Sequence, residues 1–315
     1  MRALITGSHG FVGQHLRRLL HERGMSVIGL GRTPQAAPRG EDYVAADLRV
    51  RDDALRAVRE SSPDVVFHLA GDTGRAGPAS ETLRTNVLGT LHLLEGLAAR
   101  GQACRVIIVG TSAQYGRVPE SENPIGEGTE LRAEGVYGWS KSAAEKLALS
   151  FHGRDGLSVV AVRPFNHLGP GEPPEFVASS FARQVVEIET GSEPVLHTGN
   201  LDPIRDLTDV RDLVRGYMQL AESARGGEIY NLCTGRGVRI GDLLAMILDR
   251  SGVTAEVRPD PSRIRPGELS MQIGSAAKAE RETGWRPEIP LEKSIDDLLE
   301  HWRDRLGVAS RGGSS

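Results

Sequence analysis

The chain has 315 residues, 39% of them hydrophobic and 25% charged, with a formal net charge of −4 at pH 7. That length suits one large domain or a main domain with a smaller companion, and the composition is that of a globular protein. The acidic balance argues against nucleic acid as the main partner, and no apolar run approaches the ~20 residues of a membrane span.

Met1 stands directly before an expected strand, Ala3–Thr6, which leaves no room for a signal peptide and predicts a cytoplasmic protein. Further strands are expected at Ser26–Leu30, Val65–Leu69, Arg105–Val109 and Ser158–Val162. They are rich in Val, Ile and Leu and lack clean alternation, as strands covered on both faces should. Between them the spacing predicts helices at Gly13–Arg23, Asp52–Glu60 and Glu81–Arg100, the last with Leu83, Val87, Leu91, Leu94 and Leu97 on one face. This alternation predicts an α/β fold, a Rossmann-type doubly wound parallel sheet, over residues 1–165. After Pro164 the pattern changes. "NHLGPGEPPEF" reads as a loop, Val177–Thr190 as a helix, and "GSEPVLHTGNLDPIRD" as short strands and turns. "IYNLCTG" reads as a strand, and Ile240–Ser251 and Leu291–Leu306 as helices. Residues 166–308 therefore form mainly a smaller C-terminal α/β substrate-binding lobe, some of it returning to the sheet, and 309–315 a flexible tail. Cys104 and Cys233 read as buried free thiols. Arg211-Asp212 and Asp296-Asp297 read as solvated helix faces.

"ITGSHGFVG" sets Gly7, Gly10 and Gly13 between a strand and a helix that opens at Phe11 and Val12. The first glycine permits a tight turn, the second close approach to a pyrophosphate, the third close helix–strand packing. The N–H groups at the helix start then face the phosphates of a dinucleotide. A cofactor with a free ribose usually meets an acid at the end of the second strand; here Gly31 and Arg32 stand there. A guanidinium can pair with a 2′-phosphate, which favours NADP(H) and leaves NAD(H) open; the alternative is a solvated surface arginine. Asp47 and Leu48 suit the adenine edge, and Leu69, Ala70 and Gly71 of "HLAG" suit the adenosine ribose, with His68 structural.

"YGWSK" places Tyr137 and Lys141 four residues apart, on one face of a helix. An ammonium beside a phenol favours phenolate and lowers its pKa from about 10. Tyr137 then suits proton exchange with a substrate oxygen, while Lys141 also holds the nicotinamide ribose. "VGTSAQYG" ends a strand in the hydroxyls of Thr111 and Ser112, with no acid before Glu120.

Together these residues resemble the extended short-chain dehydrogenase/reductase family over nearly the whole chain. "TGSHGFVG", Asp47-Leu48, "HLAG", "TNVLGT" with Asn86, "TSAQYG", "YGWSK" and "RPFNHLGPG" carry the likeness. "GNLDPIRDLTDVRDLVRGY" is similar to GDP-mannose 4,6-dehydratases and to the reductases acting on their product, and "RPFNHLGPG" and "RIRPGE" look most like the latter. The resemblance implies that Asn86 serves the cofactor, and that Thr111, four residues before Tyr115, is catalytic with Tyr137 and Lys141. Ser112 then assists or satisfies a backbone group, and Gln114 faces sugar, core or solvent. Family dehydratases carry an acid two residues before that tyrosine; here Ala113 stands there, which disfavours elimination and leaves chemistry at C4. Asn166, Arg183, Arg205 and Arg265 are implied for the diphosphate and Glu268 for a ribose or guanine edge. The implied reaction is NAD(P)H-dependent reduction of a nucleotide-linked 4-keto-6-deoxy sugar, GDP-4-keto-6-deoxy-D-mannose to GDP-D-rhamnose. Rival readings are a 4-epimerase with tightly held NAD, a dehydratase, and a non-catalytic NADP(H) sensor. A homodimer built from the helices around Glu81–Arg100 and Val136–Phe151 is implied.

Overall fold

A computed structural model describes residues 1–33, 42–74, 77–264 and 269–308 of the chain. In the first half, short apolar runs and amphipathic helices alternate: β1 (Arg2–Thr6), α1 (Phe11–Glu22), β2 (Ser26–Gly31), β3 (Asp42–Ala45), α2 (Arg51–Ser61) and β4 (Val65–His68). They continue with α3 (Ala79–Leu83), α4 (Gly89–Ala98), β5 (Cys104–Val109), α5 (Gly135–Leu149) and β6 (Leu157–Pro164). The second half supplies β7 (Asn166–Leu168), α6 (Val177–Glu189), β8 (Val195–Thr198), β9 (Ile204–Asp209), α7 (Val210–Ser223) and β10 (Ile229–Leu232). It ends with β11 (Gly237–Arg239), α8 (Ile240–Ser251), β12 (Glu256–Pro259), β13 (Met271–Gln272), α9 (Ala277–Thr283) and α10 (Leu291–Leu306).

The main sheet has seven parallel strands in the order β10-β6-β5-β4-β1-β2-β3. Successive residues of one strand serve opposite layers, so both faces must be apolar. Ile5 joins Leu16, Leu20, Phe67, Leu213 and Tyr217 under α1 and α7. Its neighbour Leu4 joins Val58, Val66, Leu93 and Leu97 under α2 and α4. Strand order reverses between β1 and β4, and ligands of such sheets bind outside the carboxyl ends at that point.

The helix expected over Glu81–Arg100 is interrupted. A π-turn at Arg84–Leu88 separates α3 from α4. The extra residue turns Asn86 inward, where its side chain donates to Asp72 O and Ser140 Oγ and accepts from Asp72 N. π-Turns of this kind cluster at functional sites.

The second half divides its elements. β10 and α7 complete the main sheet and its cover, β10 pairing with β6. α6, α8 and α10 enclose a separate core of Phe181, Val185, Leu243, Ile247, Leu298 and Trp302. Between the two cores lies a small sheet with β9 at its centre, flanked by β11 and β13 and also paired to β7. The stretch 166–168, expected as loop, is thus a strand: its ladder partners lie 41 residues on (Asn166 against Leu207) and no local pattern announces it.

Two charged pairs expected on solvated faces are partly structural. Asp212 is 1% exposed; its carboxylate takes N–H groups of Glu288 and Ile289 and pairs with Arg215. Arg211 bridges Asp209 and Asp297. Asp296 keeps the expected exposed position, paired with Arg250. Cys104 and Cys233 are both buried and free.

Trp285 joins the segment before α10 to the main sheet. It is fully buried, lies in the α1/α7 core, and donates Nε1–H to Asp212 O at 2.9 Å. Trp285→Ala removes that volume and the indole hydrogen bond, so it is expected to cost about 3–5 kcal/mol. Urea unfolding of both proteins, compared by midpoint at equal m, checks the figure.

Candidate active site

The carboxyl edge of the sheet opens into two adjoining clefts of about 600 and 750 Å³, with Gly71 in the wall of both. The first runs from the glycine loop to the ends of β2 and β3. The second lies between β5, α5 and the small sheet.

The glycine loop is compact by necessity. Gly7 has φ +70°, and a Cβ on Gly13 would meet Gly7 O at 2.4 Å. This draws α1 against β1 and leaves its N-terminus with Gly10 as N-cap, no side-chain cap and no acid in the first turn. Uncapped N–H groups without a competing carboxylate are what a pyrophosphate requires, so the donor set fits a dinucleotide. Gly7 and Gly10 line the first cleft, Phe11 and Val12 the second, and Gly13 serves packing alone.

At the far end of the first cleft, exposed Arg32 lies at the rim after β2, beside Asp47 and Leu48. Asp47 is not free for an adenine edge in both oxygens. Arg49 grips it at 2.6 Å and holds its carboxyl below the usual range, while also pairing with Glu81 at 2.7 Å. Arg49 and Tyr43, which line the same cleft, are residues the sequence reading passed over. Ala70 and Gly71 lie in the first cleft's wall and Leu69 in the second's. Beneath them His68 is held by Thr6 at 2.8 Å and Thr90 at 2.9 Å. Burial pushes its imidazole down to about 3, so it stays neutral and structural.

Thr111, Tyr137 and Lys141 all line the second cleft. Tyr137 and Lys141 share a face of α5, as i,i+4 residues must. A Cβ on Gly71 would lie 3.6 Å from Lys141 Nζ and 3.3 Å from Asn86 Oδ1, so the chain passes close to both. Asn86 thus ties the π-turn to α5 through Ser140 and lines neither cleft.

Thr111 is set by a reciprocal cap. Its Oγ1 accepts Ala113 N–H at 3.2 Å, and its own N–H donates to Gln114 Oε1 at 2.8 Å. With its oxygen so engaged, the Thr111 hydroxyl proton is available to the cleft. Gln114 is fully buried and turned to the core, where Nε2 donates to Glu145 at 2.9 Å. Glu145, one turn past Lys141, forms a buried ion pair with Arg163 at 2.6 Å. Arg163 donates to Tyr115 Oη, which donates to Asn231 of β10 at 2.7 Å. The hydroxyl loop and the Tyr-Lys helix are therefore two ends of one buried network. Ser112 faces the small sheet: it donates to Gln272 Oε1, and Gln272 Nε2 donates to Ser112 O at 2.9 Å. Half-buried Ala113 brings no ionisable group to the wall.

Across the cleft, β7 and β9 present Asn166 and Arg205. Alternation on β9 sends Arg205 and Leu207 to the cleft, while buried Asp206 accepts N–H groups of Thr234, Gly235 and Gly274. His167, stacked on Phe11 at 5.9 Å, and Glu172 line the same wall; neither entered the sequence reading. Arg183 lines neither cleft and pairs with Glu187 along α6 at 3.2 Å. Arg265 and Glu268 lie outside the described residues.

Residues 4–298 match the family model described as GDP-mannose 4,6 dehydratase. The GDP-6-deoxy-D-mannose reductase of Pseudomonas aeruginosa is 36% identical, over 97% of this chain and 98% of its own. The structure of RMD from Pseudomonas aeruginosa complexed with NADPH has a TM-score of 0.85 at 35% identity, covering 96% of this chain and 99% of that one. The UDP-glucose 4-epimerase of Thermus thermophilus in complex with NAD reaches 0.85 at 30% identity, covering 96% and 99%.

Burial leaves Lys141 only 8% exposed and pushes its ammonium down to about 8, against the opposing charge of Glu145. At neutral pH both folded and unfolded chains hold that proton, and the folded one bears the desolvation cost. Between about pH 8 and 10.5 the folded chain releases it first, so stability recovers as pH rises. Lys141→Met is expected to be more stable than the unmodified protein at about pH 7, with the gap closing toward about pH 10. Urea titrations at both pH values check this.

Proposed function

The chain belongs to the GDP-mannose 4,6-dehydratase family of extended short-chain dehydrogenases/reductases, and from that premise we propose that it reduces GDP-4-keto-6-deoxy-D-mannose to GDP-D-rhamnose with NADPH. One observation carries the reading. Thr111, Tyr137 and Lys141 line one cleft, and Ala113 stands where the family's dehydratases carry their C5 acid. Proton traffic at C5 and C6 needs a positioned acid–base group, worth typically ~10²–10⁴-fold, whereas reduction at C4 does not.

Bound NADPH supplies the hydride for C4. The chain's own groups then handle the oxygen. Tyr137 delivers the proton, and Thr111, its oxygen already engaged by Ala113 N–H, donates a hydrogen bond to the carbonyl. Lys141 lowers the cost of leaving Tyr137 as phenolate. Arg205 and Asn166 take the substrate diphosphate on the opposite wall, in a lobe where bidentate guanidinium contacts suit phosphate. Arg265 and Glu268 are assigned to the nucleotide on family resemblance alone. The solved RMD complex with NADPH supports the choice of cofactor, as does Arg32 in place of an acid after β2.

The test is stoichiometric NADPH oxidation with GDP-4-keto-6-deoxy-D-mannose. A 4-epimerase would recycle its cofactor and consume none. Tyr137→Phe should lower kcat ~10²–10⁴-fold while NADPH still binds. Arg32→Ala should weaken NADPH more than NADH, because only the former bears a 2′-phosphate; equal losses would assign Arg32 to adenine or structure.

A homodimer is part of the proposal. Leu83, Leu88, Val136 and Trp139, the last 66% exposed, lie on α3, the π-turn and α5, which pack side by side. Large apolar side chains so grouped mark an interface, and helix pairs of two subunits make a four-helix bundle. Trp139→Asp should shift the mass from dimer to monomer in light scattering at micromolar concentration.

A further inference from the structure

Glu172 is the one acidic side chain among the described residues lining the second cleft. It is 4% exposed, and its Oε2 has no hydrogen-bond partner among the described residues. The rest of the residue is tied down. Its carboxyl faces the N–H of Ser179 in the first turn of α6, and its carbonyl accepts Ser179 Oγ at 2.6 Å. Ser179 is in turn fixed by Trp302 Nε1 at 3.0 Å. The turn that carries Glu172 rests on the first turn of α1. His15 Nε2 meets Pro170 O at 2.8 Å, a Cβ on Gly171 would lie 3.9 Å from the Phe11 ring, and Phe11 stacks on His167. Glu172 thus lies in the cleft wall with one carboxyl oxygen unpartnered, its carboxyl against the first turn of α6 and its turn packed on α1.

A buried polar atom without a partner is costly, and a ligand that pairs with it offsets that cost. The ligands of this cleft are anions, and a carboxylate would repel them. Burial, with Glu175 nearby, holds the Glu172 carboxyl well above the usual carboxylate range, which favours its protonated form. A neutral carboxylic acid presents an O–H, the one form that suits a phosphate oxygen.

We propose that Glu172 is a ligand-binding residue that donates a hydrogen bond from Oε2 to a phosphate oxygen of a diphosphate held between α1 and α6. This rests on the assignment of NADPH and a GDP-sugar to the clefts. Either molecule brings the required chemistry, and the experiment separates them.

Dissociation constants of NADPH and of GDP are measured by titration for the unmodified protein, E172Q and E172L, with melting temperatures as a control on folding. Glutamine keeps a donor of the same reach; leucine keeps the volume and no donor. E172L is expected to weaken one of the two ligands about tenfold, and E172Q to stay within about threefold of the unmodified protein. The ligand that weakens names the diphosphate. E172L binding both as tightly as the unmodified protein overturns the proposal, as does E172Q falling as far as E172L. Failure of the unmodified protein to bind NADPH and GDP would instead overturn the functional reading beneath it. Infrared difference spectra supply a readout independent of E172L folding. A protonated-carboxyl band, absent from E172Q, should shift on adding NADPH or GDP, and its absence from the unmodified protein overturns the proposal.

Discussion

The Glu145–Arg163 ion pair is the interaction on which the site depends. Both side chains are almost wholly enclosed, so removing one partner would strand a charge at a cost of about 3–5 kcal/mol. The pair persists because its remaining hydrogen-bond capacity is used. Gln114 and Tyr115 come from the hydroxyl loop, and Asn231, through Tyr115, comes from β10. Glu145 sits one turn from Lys141, so the same carboxylate that anchors the Thr111 loop sets the phase of the Tyr-Lys helix. A fully satisfied buried network specifies one geometry, and a half-satisfied one would cost more than an apolar core.

The second constraint is topological. The chain passes between the two cores as β9 and then returns through α7 and β10 to complete the main sheet. That route puts Arg205 and Asn166 opposite Thr111 and lets Gln272 hold the Ser112 backbone. Lobe and sheet are therefore knit by backbone and side-chain bonds at the cleft itself.

What the amino-acid sequence disclosed, and what it hid, follows from the range of the interactions. The glycine loop is legible because φ +70° at Gly7 and the 2.4 Å approach at Gly13 are local demands that only glycine meets. Tyr137 and Lys141 are legible because helical geometry alone aligns them. The helices at Ile240–Ser251 and Leu291–Leu306 are legible from their apolar stripes. Partners distant in sequence left no such trace. Gln114 stays open between sugar, core and solvent until Glu145 meets it; Asp212 looks like a helix-face charge until two N–H groups from 288 and 289 arrive. Glu172 sits in a Pro/Gly-rich turn where no periodicity says which way it points. The π-turn hides within a continuous apolar pattern, since one inserted residue barely disturbs the spacing.

Chemistry follows from what the network holds and what it omits. A hydroxyl, a phenol and an ammonium line the cleft, and at 113 there is a methyl group in place of an acid. The central claim is that proton transfer is confined to the C4 oxygen and never reaches C5. The direct measurement is to run the reaction in deuterium oxide with GDP-4-keto-6-deoxy-D-mannose and NADPH, and to read carbon-bound deuterium in the product by NMR. The account predicts no deuterium at C5 beyond an enzyme-free control. Deuterium appearing at C5 at the rate of turnover would show another group moving that proton, and would contradict it.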